Sequence, residues 1–129
     1  MKCFMVFSFF AFTFLACSSP AISVLTKEIR PSNDSTYGYT CKNPIRVGYY
    51  NFFESMNAQS YLLRHFRGSN NGRLRMLYAA SVGCGSDDII DLYKLVPEGT
   101  SDTLYLYMDV NTKGPLMIPR GLTFDHSEQ

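Results

Sequence analysis

Few side chains in this sequence could move a proton, and their spacing suits that task poorly. There are two histidines. His65 lies beside Arg64 and Phe66 in a stretch of helical periodicity, where the rim of a helix is the expected setting. His126 stands close to the C-terminus, in a segment with little to hold it. Glu54 sits at a helix entrance, and attraction to the helix dipole accounts for it. Asp87, Asp88 and Asp91 cluster, the first two in a turn. Cleaving a phosphodiester without a metal needs a base, an acid and a cation converging on one concave face. Glu54 or Asp91 acting with His65 is the one combination these residues offer. No serine–histidine–acid spacing, glycine-rich phosphate loop or metal-ligand cluster occurs, so no catalytic residue, metal or cofactor is expected.

Binding chemistry is better represented. Arg64 and Arg67 are neighbours at i, i+3 on the helix. Arg73 and Arg75 share one face of the strand that follows, and Tyr105 and Tyr107 share a face of a later one. Aromatic rings on a sheet can stack bases, although packing under a loop would equally explain the tyrosines. The net charge of +1 conceals an asymmetry. Lys42, Arg46, Arg64, Arg67, Arg73 and Arg75 face one acid, Glu54, across residues 42–75, whereas eight acids follow Cys84 against Lys94, Lys113 and Arg120. Either the two halves neutralise each other in the fold, or a local basic patch awaits an acidic partner.

The element that must position these groups is a helix over Ser55–Arg67. Ala58, Leu62 and Phe66 recur every four residues, with Leu63 and Met56 widening the stripe and Gln59, Ser60, Arg64 and Arg67 on the other side. Ser55 or Asn51 is the expected N-cap and Gly68 the C′ glycine. A short strand, Ile45–Phe53, feeds the helix. After a turn at Ser69–Gly72, Arg73–Val82 alternates, with Leu74, Met76, Tyr78, Ala80 and Val82 on one face. Ile89–Val96 follows, then a turn at Pro97–Gly99. Thr103–Val110 alternates with Leu104, Leu106 and Met108 inward and Asp109 outward. A hairpin loop is expected at Asn111–Gly114, and short strands at Leu116–Ile118 and Leu122–Phe124 finish the sheet. The implied class is α+β: one helix packed on a twisted, mostly antiparallel sheet.

Lys2 precedes an apolar, Phe-rich run from Phe4 to Ala16, with small residues at Ala16, Ser18 and Ala21. This pattern predicts a secretory signal peptide and cleavage region over 1–21, leaving about 110 residues as one domain, with no membrane anchor in the mature form. Residues 22–36 read as a flexible lead-in that contains an Asn33-Asp34-Ser35 sequon, 37–124 as the domain and 125–129 as a frayed tail. Cys41 and Cys84 are the cysteines beyond the signal, and an even pair on an oxidising route suggests one disulfide.

Tyr39-Thr40-Cys41 soon after a signal peptide, then a strand and a helix containing Ala58-Gln59, is similar to the start of secreted fungal guanyl-preferring ribonucleases. It resembles still more the ribonuclease-like secreted effector candidates of powdery mildew fungi, marked by an aromatic-x-Cys motif near the mature N-terminus. Leu92–Pro97, a loop, and then Leu104–Gly114 agree in layout with that family, so the resemblance covers residues 37 to 124. It implies a ribonuclease-like scaffold secreted by a plant pathogen, translocated into host cells and acting there in virulence on a host protein or RNA, with a host immune receptor as a further partner. The family's effectors have mostly lost the enzymes' catalytic groups. Here the strand that should present the glutamate reads Asp91-Leu92-Tyr93-Lys94, and the one expected to carry the arginine reads Thr103-Leu104-Tyr105. No catalytic position is therefore carried over, and a pseudoenzyme is expected. The family's partner cysteine usually lies near the C-terminus, and none follows Cys84 here, so either Cys41 bonds Cys84 by a different route or both are free. An active secreted ribonuclease, or an apoplastic toxin-like binding protein on an unrelated β-rich fold, are the alternatives.

Overall fold

The computed structural model describes residues 28–48, 52–85 and 87–127. The expected signal peptide and the Asn51 cap lie outside them. The elements are β1 (Arg30–Pro31), β2 (Ile45–Arg46), α1 (Phe52–His65), β3 (Phe66–Arg67) and β4 (Leu74–Gly83), then β5 (Ile89–Pro97), β6 (Leu104–Asp109), β7 (Met117–Ile118) and β8 (Thr123–Phe124). The class is α+β. A four-stranded sheet runs in the order β2-β6-β5-β4, antiparallel except where β2 joins β6 in parallel. Two small ladders, β1 with β7 and β3 with β8, flank it. No helix among the described residues is long and apolar enough to cross a membrane.

Helix α1 begins earlier than its apolar stripe suggests. Phe52 and Phe53 are helical, so the feeding strand ends at Arg46, followed by a single bridge at Val47. Ser55 therefore lies inside the helix and is buried, not at its cap. At the other end Phe66 and Arg67 leave the helix to pair with Phe124 and Thr123, and Gly68 joins a turn closed by Gly72 instead of capping α1. Glu54 in the first turn and Arg64 and His65 in the last complement the helix dipole.

The core forms where Ala58, Leu62 and Phe66 meet Ile45, Val47, Leu95, Leu106 and Met108 from the sheet. Leu62, Phe66, Leu106 and Met108 are fully buried, as their periodicities predict. Two readings of the stripe need correcting. Met56 is 45% exposed, while Gln59, expected outside, is buried because its amide donates to Asp91 on β5.

A bulge divides β4. Met76 pairs with Leu95 and Tyr78 with Lys94, leaving Leu77 as the extra residue. Leu74 and Met76 thus keep to the helix side, while Tyr78, Ala80 and Val82 turn to the opposite face. The single-faced alternation expected along this strand is broken there.

The ends of the domain are tied more firmly than their composition implies. Arg30–Pro31 pairs with Met117–Ile118, and Ile29 and Ser32 are buried, so ordered structure begins well before Tyr37. Asn111–Gly114 does not turn β6 back on itself. Asp109 is buried, not outward, and its Oδ1 accepts from Asn111 N and Thr112 N, after which the chain runs on to pair β7 with β1. Cys41 and Cys84 form a disulfide with Cα atoms 5.7 Å apart. It ties the loop after β1 to the end of β4 across 43 residues. Closing such a loop is worth about 4 kcal/mol of denatured-state entropy.

Candidate nucleic-acid interface

The arginines and tyrosines of interest divide between two faces of the sheet. On the helix side, Leu63 and Arg64 of α1 meet Arg73, Leu74, Met76 and Leu95 around an open concavity of about 250 Å³. Its lining is largely apolar, and the two guanidinium-bearing residues contribute the cationic chemistry. Arg67 does not join them. It is buried, with Nη2 2.8 Å from Asp125 Oδ2 and Nη1 donating to Phe66 O at 3.1 Å. Helical spacing placed Arg67 beside Arg64, but the helix has ended by then and the β3 backbone turns the side chain inward.

The opposite face carries the aromatics. Cross-strand register aligns Tyr78 of β4 with Lys94 of β5, and Lys94 with Tyr105 of β6. Tyr78 is 54% and Tyr105 44% exposed, with Lys94 Nζ 5.9 Å from the centre of the Tyr105 ring. Two accessible rings therefore flank one ammonium across three adjacent strands. Tyr107, half-buried, continues the β6 side of this face opposite Leu92, and Arg75 opposite Val96 lies on it at the other end. Tyr105 and Tyr107 are thus on one face, as alternation predicts, but Arg73 and Arg64 are not beside them. Tyr78 and Lys94 escaped the sequence reading. Uninterrupted alternation placed Tyr78 with the apolar set, and only the bulge turns it over.

The acid–base candidates are engaged elsewhere. Asp91 Oδ2 accepts from Gln59 Nε2 at 2.8 Å and Oδ1 from Ser81 Oγ at 3.1 Å. His65 is buried, not on a rim. Its Nδ1 lies 2.7 Å from Tyr61 O, an oxygen that can only accept, so Nδ1 carries the proton. The ring stacks on Tyr61 at 4.0 Å and on Phe124 at 5.6 Å, and Nε2 is buried in that aromatic sandwich. Gln59 and His65 are six residues apart, about 9 Å along the axis, so the Asp91 and His65 environments belong to different parts of the helix. His126 packs 5.0 Å from Phe124, and Asp125 N donates to His65 O, so the start of the expected frayed tail is held.

Near the aromatic-x-Cys motif, Asp34 organises the loop. Thr36 N and Thr36 Oγ1 both donate to its Oδ1 at 2.8 Å, and Asn43 Nδ2 donates to Oδ2 at 2.9 Å. The Thr36 bonds, with help from Asn43, hold the Asp34 carboxyl below the ordinary range. The Tyr39 hydroxyl donates to Arg120 O at 2.7 Å, and burial pushes its pKa up. The motif therefore braces the loop that carries Cys41. Among the described residues no group of three or more His, Cys, Asp or Glu side chains could hold a metal ion. Compared with known proteins, the chain matches no family model, no curated protein and no solved structure.

Proposed function

We propose that this chain is a secreted, non-catalytic binding protein that holds single-stranded RNA on the open face of its sheet. The reading rests chiefly on the row Tyr78–Lys94–Tyr105, two exposed rings with a cation between them. Bases stack on such rings with little sequence preference, and an ammonium nearby attracts the backbone. The order of elements, a helix followed by an antiparallel meander, supports a ribonuclease-like scaffold. The resemblance carried by Tyr39-Thr40-Cys41 supports assignment to the powdery mildew effectors that act inside plant cells. A non-catalytic role is supported by the engagement of Asp91 with Gln59 and Ser81, and of His65 with Tyr61.

A host protein is the second reading, and the Arg64–Arg73 concavity favours it. An apolar floor beside two arginines suits an acidic side chain with an apolar neighbour.

Titrating labelled single-stranded RNA at two salt concentrations tests the first reading. Binding should be measurable at low salt, fall steeply with added salt as the entropic gain from releasing condensed counterions shrinks, and leave the RNA uncut. Tyr78→Ala and Tyr105→Ala should each weaken it by about 1–3 kcal/mol without unfolding the domain. No binding at low salt would leave protein recognition as the better account, and cleavage lost on His65→Ala would make the chain an enzyme.

A further inference from the structure

We infer that β4 pairs with β4 of a second copy of this chain, antiparallel and about a two-fold axis near Ala80. Among the described residues β4 is an edge of its sheet, and at ten residues it is the longest strand. Edge strands are ordinarily blunted by proline, lysine, inward charge or a bulge, and the bulge of β4 protects only its first part. Between the bulge and Gly83 this one offers Tyr78, Ala79, Ala80, Ser81 and Val82, with no charge and no proline. Small residues at its centre let another backbone approach, and larger apolar ones stand at the bulge, where Met76, Leu77 and Tyr78 are 50%, 46% and 54% exposed.

Charge selects the partner and the direction. Before the open segment stands Arg75, and beyond it stand Asp87 and Asp88, all three exposed. Antiparallel pairing about Ala80 sets Tyr78 opposite Val82 of the other copy. It brings Arg75 of each copy beside the Asp87–Asp88 turn of the other. Parallel pairing would instead set like charges together. A strand basic at one end and acidic at the other is complementary to its own reverse, as an isologous interface requires. The bulge, by twisting the strand at Leu77, limits the ladder to the segment that follows it. A two-fold axis perpendicular to the sheet keeps both copies' Tyr78–Lys94–Tyr105 rows on one side, making a single eight-stranded surface.

Sedimentation velocity of the secreted chain over a wide concentration range should show a reversible monomer–dimer equilibrium. Arg75→Asp makes both ends of β4 acidic, and Asp87→Arg with Asp88→Arg makes both ends basic. Each variant alone should be monomeric, with an unchanged circular dichroism spectrum. An equimolar mixture of the two should recover the dimer, because every end contact is again attractive. A wild-type chain that stays monomeric throughout would overturn the proposal. So would a dimer that either variant forms as readily as wild type, or a mixture that fails to associate while both variants remain folded.

Discussion

Gln59 Nε2 donates to Asp91 Oδ2 across 2.8 Å, joining the middle of the helix to the central antiparallel strand. Gln59 is buried, so its amide would be costly to leave unpaired. The other oxygen of Asp91 accepts from Ser81 on β4. One carboxylate thus ties three elements together, which gives Asp91 a structural task. Gln59→Ala should lower stability by about 1–3 kcal/mol, read from the urea midpoint, with no change in RNA affinity.

The same carboxylate acts on its neighbour. Burial, and then the negative charge of Asp91, push the Tyr93 hydroxyl from its ordinary 10.0 up to about 12. A raised folded-state value means that the contribution is fully present below the unfolded pKa and is lost as pH rises through the folded one. Stability should therefore fall between pH 10 and about 12. Tyr93→Phe retains the ring and should flatten this fall, while Tyr37 and Tyr39, also raised by burial, leave a residual slope. Urea midpoints measured across that window check it, and an equally steep loss in Tyr93→Phe would show that another group governs the transition.

Much of the core was legible because Ala58, Leu62 and Phe66, and Leu104, Leu106 and Met108, follow simple periods that survive folding. What escaped depends on single backbone events. The bulge at Leu77 turns Tyr78 over, and the end of the helix at His65 sends Arg67 inward. Neither has a composition signal, since any residue can occupy the extra position of a bulge and Arg67 continues the helical spacing. The polar residues drawn inside, Gln59 and Arg67, look solvent-facing in the sequence because their partners, Asp91 and Asp125, are remote along the chain. The Cys41–Cys84 bond needed no geometry to expect, only an even pair on an oxidising route.

Asp125 gives the tail an acid-sensitive hold. Hydrogen bonds from Ser127, with a further contribution from Arg67, lower its carboxyl from 3.8 to about 2. A lowered folded-state value contributes stability above the unfolded pKa and loses it as pH falls through the folded one. The tail should therefore loosen as pH drops from about 4 towards about 2. Amide exchange at Ser127 and Phe124 would report it. Asp125→Asn should show lower protection at neutral pH and little added effect of acid, whereas wild-type protection factors that stay constant across this range would contradict the assignment.

A close backbone approach near the sheet edge supplies the last test. Gly48 N donates to Thr112 O at 2.9 Å just after Val47 N donates to Asp109 O at 2.8 Å, so the segment leaving β2 lies against the loop leaving β6. A Cβ on Gly48 would fall 2.5 Å from the Thr112 carbonyl carbon and 2.7 Å from its N and O. These are backbone atoms fixed by the Asp109 turn, so they cannot swing aside as a side chain could. Relief requires separating the two segments, which breaks the hydrogen bond and disturbs the pairing of Ile45 with Met108 in the core. Gly48→Ala should cost about 1–3 kcal/mol, the range for forced overpacking. Gly83, at the end of β4, meets nothing within 4 Å of its added Cβ, so Gly83→Ala should leave stability unchanged or raise it slightly. Urea midpoints of the two variants beside wild type separate steric exclusion at Gly48 from a general cost of replacing glycine. Equal midpoints for both would show that the Thr112 loop yields without loss.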